Sequence, residues 1–149
     1  MNAVDAIRQH RTSGRVSCVL LPHAGAASAT DLADLAVQSV GLRALGDAWL
    51  EISESDAESI ATGILHRDLA YHTEIMPLAL AAELASELLS QVPQPMTCFT
   101  NGDWAEAFSE NLESLDSVGF DPISDAALDA GIICVGDGVT ALLWVEDED

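Results

Sequence analysis

The sequence contains no lysine, and after Arg67 it contains no basic residue other than histidine. Its 149 residues include 25 Asp or Glu against 5 Arg, which gives a formal net charge of −20 at pH 7. A field of one sign repels nucleic acid, phosphates and anionic membranes, and it speeds the encounter with cationic surfaces. The composition therefore argues against nucleic acid and membrane as partners and favours a partner with a basic surface.

Cysteine is scarce, and the three cysteines lie far apart, at Cys18, Cys98 and Cys134. An odd number at such spacing lacks the close pairs of a disulfide framework, and no Cys or His stands near enough to complete a zinc motif. Each cysteine lies in an apolar, strand-like run. We therefore expect three buried, reduced thiols, which are typical of a cytoplasmic protein.

Long hydrophobic runs are also missing. The longest apolar stretches, 16–21 and 76–82, are far too short to span a bilayer. The first residues include Asp5 and show no apolar segment of the kind found in secretory signals. A cytoplasmic location is the expectation.

Catalytic and metal-binding motifs are absent or misplaced. The tetrad at 66–69, His-Arg-Asp-Leu, spells the start of a kinase catalytic loop, but it lies inside a helical pattern and no glycine-rich loop precedes it. His66 and His72 are six residues apart, which puts them on opposed faces of an ideal helix rather than on one metal-binding face. Gly136 and Gly138 lack the strand-to-helix context of a phosphate loop. We expect no enzyme activity, no catalytic residue, no metal and no cofactor.

What the chain does contain is enough apolar sequence for a folded core, since 49% of its residues are hydrophobic. Helical spacing of apolar residues alternates with short β-branched runs along the whole length. The pattern predicts one globular domain, 1–149, of the α/β or α+β class, with a mixed sheet of about five strands and packed helices. The predicted helices cover 3–11, 30–40, 55–71, 77–92 and 103–118, and the predicted strands cover 16–21, 47–53, 96–100, 131–135 and 139–145.

Two local signals are especially clear. Ser55 followed by Glu58 is typical of a capping box at the start of the third helix. Asp137-Gly138 between two apolar runs predicts a C-terminal β-hairpin.

The acids are densest in one region, 103–129, which contains no base. On a helix from Asp103, Glu106 shares one face with two further glutamates, while Trp104 and Phe108 lie on the other. Aromatic anchors beside carboxylates suit a basic protein partner, although most charge runs are only solvated faces. A second candidate is the acidic tail after Trp144. The candidate partner-binding residues are Asp103, Glu106, Glu110, Glu113, Asp116, Asp121, Asp125 and Asp129.

In size, acidity and lack of catalytic motifs, the chain resembles bacterial toxin-immunity proteins. The resemblance covers the whole chain but contains no diagnostic motif, so no family residue is carried over. It implies a cytoplasmic protein that binds a cognate secreted toxin and occludes its active site. The implied partner is a protein toxin or effector with a basic surface, and the oligomeric state is left open.

The acidity is also compatible with three alternatives to an immunity protein. An acidic secretion chaperone would form a dimer with exposed apolar grooves, and a nucleic-acid mimic would space its carboxylates like phosphates. Salt adaptation would spread the acids evenly, whereas 17 of the 25 acids here follow residue 67. Genome composition could also contribute to the absence of lysine.

Overall fold

A computed structural model describes residues 2–24, 27–109 and 118–148. In chain order, the described residues form five α-helices and five β-strands: α1 (Ala3–His10), β1 (Arg15–Pro22), α2 (Ala29–Ser39), β2 (Leu50–Ile52), α3 (Glu54–His66), α4 (Leu78–Ser90), β3 (Thr97–Thr100), α5 (Trp104–Ser109), β4 (Leu128–Val135) and β5 (Val139–Asp147).

The strands form one sheet in the order β1-β5-β4-β3-β2. The α+β class, the five strands with packed helices and the C-terminal hairpin are confirmed. All four pairings are antiparallel, so the sheet is not mixed. Helical connections join β2 to β3 and β3 to β4, which are antiparallel neighbours. The connection through α2 joins β1 to β2, which lie at opposite edges of the sheet, so no adjacent parallel pair arises.

The sheet is covered on both faces at its centre. Side chains alternate along β5, so Leu143 and Val145 pack against α1, α3, α4 and α5, while Leu142 and Trp144 face α2. Strands buried on both faces read as continuous apolar runs. This burial explains why β4 and β5 are the clearest strands in the sequence.

The start and end of α3 differ from the prediction. Ser53, not Ser55, caps the helix, because its Oγ accepts a hydrogen bond from the backbone N–H of Asp56 at 3.0 Å. The helix ends at His66 rather than near Tyr71. There the Asp68 carboxylate accepts the N–H groups of Tyr71 and Thr73, which closes a tight turn in place of a further helical turn.

Two other elements are shorter than expected. A 3₁₀ turn, Gly46–Ala48, occupies the start of the predicted strand 47–53, and β2 keeps only three residues. The predicted helix 103–118 begins as α5, and its part beyond residue 109 lies outside the described residues.

The three cysteines are buried free thiols, as predicted. Burial raises the pKa of Cys18 to about 12. Cys98 and Cys134 are cross-strand partners on β3 and β4, and their mutual hydrogen bond, together with burial, raises the pKa of Cys134. Thiols that stay protonated are poor nucleophiles and poor metal ligands.

Among the described helices, none has the length and apolar character that crossing a membrane requires.

Candidate functional site

The acidic segment, residues 103–129, divides into described and undescribed parts. Glu110, Glu113 and Asp116 lie outside the described residues. The other five predicted residues are placed in two different ways: one is buried and four are exposed. The exposed residues are Asp103, Glu106, Asp121 and Asp125.

Asp129 is the buried one, and its prediction as a surface residue is wrong. Its carboxylate is fully enclosed and accepts hydrogen bonds from Asn101 Nδ2 at 2.9 Å and Trp144 Nε1 at 3.1 Å. Ser124 donates both its N–H and its hydroxyl, and the N–H of Ile123 also donates. A carboxylate with this many internal donors organises the 118–129 region and cannot meet a partner.

Asp103 and Asp121 come together although they are 18 positions apart. A β-bridge joins Gly102 to Phe120, and on either side Asp103 N–H donates to Gly119 O and Asp121 N–H donates to Asn101 O. Gly102 has to be glycine because a Cβ there would collide with Phe120. The bridge joins the backbone of both residues next to the start of α5.

The aromatic residues expected as surface anchors serve the core instead. Trp104 is fully buried, its Nε1 donates to Asn101 Oδ1 at 2.8 Å, and its ring packs against Phe120 at 5.2 Å. Phe108 is half-buried and stacks on Trp104. The aromatics therefore attach the described parts of the acidic segment to the body of the protein.

The five arginines of the chain all make contacts within it. Asp147 holds Arg11, Asp125 holds Arg43 at 2.8 Å, and Glu146 lies 3.5 Å from Arg15. The other two arginines donate to backbone carbonyls, Arg8 to Cys18 and Arg67 to His72. Within the described residues, Asp103, Glu106 and Asp121 have no cationic partner.

The acidic tail is less available than its sequence suggests. Asp147 is buried against Arg11, and Glu148 accepts the N–H of Ala127 at 3.3 Å. Glu146 is half-buried, and burial raises its pKa even though Arg15 opposes that shift. Asp149 lies outside the described residues. The tail prediction is therefore wrong for Asp147, which extends β5 as part of the core.

A groove of about 580 Å³, here called the α3–α5 groove, lies next to the acidic segment. Its walls come from α3, the first turns of α4 and the last residues of α5. Glu58, Arg67 and His72 also line it. Burial, and then the charge of Arg67, lowers the pKa of His72. Sequence reasoning missed the groove because its lining residues are distributed over three helices and the turn after α3.

One histidine that lines the groove is hydrogen-bonded within the chain. His66 Nδ1 and Met76 O form a hydrogen bond of 2.8 Å. No group of three or more His, Cys, Asp or Glu within the described ranges is arranged to hold a metal ion.

The contact between Gly63 of α3 and Phe108 of α5 gives a test of how the groove is built. A Cβ at Gly63 would lie 2.5 Å from the Phe108 ring, so Gly63→Ala must displace the ring. We expect a loss of about 1–2 kcal/mol in the free energy of unfolding, despite the better helix propensity of Ala. Urea denaturation measures this change in the free energy of unfolding. Adding Phe108→Leu should restore part of the loss, whereas a stabilising Gly63→Ala would contradict the packing described.

Comparison with known proteins adds no relative: no family model, curated protein or solved structure matches the chain.

Proposed function

We propose that the chain is an immunity-type protein that binds a basic secreted toxin domain in the cytoplasm and occludes its active site. One observation carries the proposal. The arginines are engaged within the chain, while Asp103, Glu106 and Asp121 are exposed without a cationic partner among the described residues. The outward field is therefore negative, and it complements a basic partner.

The backbone contact between the two described parts of the acidic segment supports the same proposal. Asp103 and Asp121 are joined through the Gly102–Phe120 bridge, and Asn101, Trp104 and Asp129 hold that bridge to the sheet from below. A backbone that is fixed before binding loses little conformational freedom when the partner arrives. A preorganised acidic surface suits an inhibitor that must bind quickly and tightly.

Inhibition requires two steps, which are charge-driven association and steric blocking of the partner's active site. The negative field raises the rate of encounter with a cationic surface, and its effect falls as salt screens it. Once docked, a folded body of this size covers the substrate cleft of the partner. No chemistry on the toxin is required for inhibition.

Neutralising the exposed carboxylates tests the electrostatic part. The charge variant, Asp103→Asn with Glu106→Gln and Asp121→Asn, should associate with the partner about tenfold more slowly at low salt and show a weaker salt dependence. Stopped-flow mixing or surface plasmon resonance measures both. The matched control, Asp31→Asn with Asp47→Asn and Asp137→Asn, removes the same charge from other exposed positions. Equal slowing by the two variants would place the binding site elsewhere.

Identifying the partner tests the proposal as a whole. The tagged chain is used to capture proteins from its native host at about 50 mM and about 500 mM salt, with the charge variant in parallel, and mass spectrometry identifies what is bound. The proposal expects one basic toxin domain, depleted in the capture with the charge variant. Recovery of an effector's N-terminal segment by a dimer of this chain would instead identify a secretion chaperone.

A further inference from the structure

Two of the three cysteines face each other across the sheet. Cys98 of β3 and Cys134 of β4 are direct partners in the antiparallel register of these strands. Both side chains belong to the part of the core that packs against α3 and α4, and their thiols are close enough to hydrogen-bond. The fold therefore brings together two thiols that are 36 positions apart in the sequence.

The geometry of this pair suits a disulfide. Directly opposed residues of antiparallel strands have Cα atoms about 4.5–5.5 Å apart. A disulfide forms where the Cα atoms are about 4.4–6.8 Å apart and the side chains point toward each other. Cys98 and Cys134 meet both conditions in the register that the folded sheet already has, so no strand has to slide for a bond to form.

Cys18 is too far away to compete for either thiol. It lies on β1, and the strand order puts β5 between it and β4, and both β5 and β4 between it and β3. Two strand spacings amount to about 9–10 Å. Since Cα atoms more than about 7 Å apart cannot be bridged, Cys98 with Cys134 is the pairing that the folded sheet allows.

Burial controls when this pair can react. Cys98 is 1% exposed and Cys134 is 0% exposed. The contact with Cys98, together with burial, raises the pKa of Cys134, which keeps its reactive thiolate scarce in the folded chain. A dissolved disulfide therefore meets the two thiols while the chain is folding or when β3 and β4 separate from the helices above them.

The pair also encloses the acidic segment in the sequence. Residues 103–129 lie wholly between Cys98 and Cys134. A bond between these two cysteines would close residues 98–134 into a covalent loop. Such a loop reduces the conformational freedom of the unfolded chain, and the resulting stabilisation grows with loop length.

We propose that Cys98 and Cys134 are a modification site, at which a small-molecule disulfide such as oxidised glutathione creates a cross-strand disulfide between β3 and β4. The thiolate of one cysteine attacks a sulfur of the oxidant, which gives a mixed disulfide and releases one glutathione. The thiolate of the other cysteine attacks the protein sulfur of that mixed disulfide, which forms the cross-strand bond and releases the second glutathione. The two cysteines lose two electrons and two protons, and the two glutathiones take them up. The proposal is independent of the proposed function.

Refolding in the presence of oxidised glutathione tests the site. The full chain is unfolded in urea with its thiols reduced, refolded with the oxidant, alkylated and mapped by mass spectrometry. We expect a chain lighter by two hydrogen atoms before alkylation, with Cys98 and Cys134 linked and Cys18 alkylated. The chain that is kept folded throughout should form the same bond at least about tenfold more slowly, because both thiols are buried.

Cysteine variants identify the pair independently of the peptide map. Cys18→Ala is the control and should lose the two hydrogen atoms as the native chain does. Cys98→Ala and Cys134→Ala should not lose them, and the native chain gives the answer if either variant fails to fold. A linkage that includes Cys18, or glutathione adducts without any bond between Cys98 and Cys134, would overturn the proposal.

Thermal unfolding shows whether the folded sheet accommodates the bond. The oxidised chain should unfold at least about 5 °C above the reduced chain, and addition of a reducing agent should abolish the difference. Cys18→Ala should show the same increase. An oxidised chain that unfolds at the same or a lower temperature would contradict the proposal, since it would mean that the bond distorts the two strands.

Discussion

Replacing Asp129 with Ala should lower the free energy of unfolding by about 4 kcal/mol, because its buried carboxylate accepts hydrogen bonds from five donor groups. Asn101 Nδ2, Trp144 Nε1 and the N–H and hydroxyl of Ser124 all point at this carboxylate. Removing it leaves several buried donors without an acceptor and a cavity between β4 and the 118–129 region. Thermal or urea unfolding measures the change.

Asp125 is the matched control for this substitution. It is an aspartate four positions away in the same acidic segment, with 98% of its side chain exposed and a single ion pair to Arg43. Asp125→Ala should leave the unfolding midpoint close to that of the native chain. If both substitutions cost the same, Asp129 does not organise the segment as described.

Arg11→Met should be about as damaging as Asp129→Ala, with a loss of about 3–5 kcal/mol. The Arg11 guanidinium is fully buried and makes two 2.8 Å hydrogen bonds to Asp147, and its Nε donates to Ile64 O at 3.0 Å. Met fills a similar volume without the charge. Asp147 is then left buried and unpaired, apart from its bond to the N–H of Leu69.

Arg15→Met separates the effect of burial from that of losing an arginine. Arg15 also pairs with a carboxylate of β5, but its side chain is 61% exposed and lies 3.5 Å from Glu146. Its removal should cost less than about 1 kcal/mol. Similar losses for the two arginines would show that the Arg11–Asp147 pair does not join α1, α3 and β5 as the structure indicates.

The sequence predicted the fold where local and tertiary preferences agree. β4 and β5 are buried on both faces and joined by Asp137-Gly138, so apolar runs and turn chemistry give the same answer. The end of α3 was mispredicted because apolar spacing continues to Leu69, while the side chain of Asp68 competes for backbone donors and ends the helix. Such competition depends on side-chain geometry, which periodicity does not encode.

The candidate site was predictable in composition but not in the role of each acid. Asp103 and Asp129 look alike in the sequence, yet one is exposed and the other is buried among donors from Asn101, Ser124 and Trp144. Those donors lie 5 to 28 positions from Asp129, so only the folded chain reveals them.

Growth of the host under attack tests the central claim most directly. A strain that lacks this chain is made to express the captured basic partner, and growth is measured with the native chain, the charge variant or the matched control supplied at equal abundance. We predict that the native chain and the matched control restore growth, and that the charge variant, with Asp103, Glu106 and Asp121 neutralised, protects poorly. Full protection by the charge variant, or none by the native chain, would contradict the proposed function.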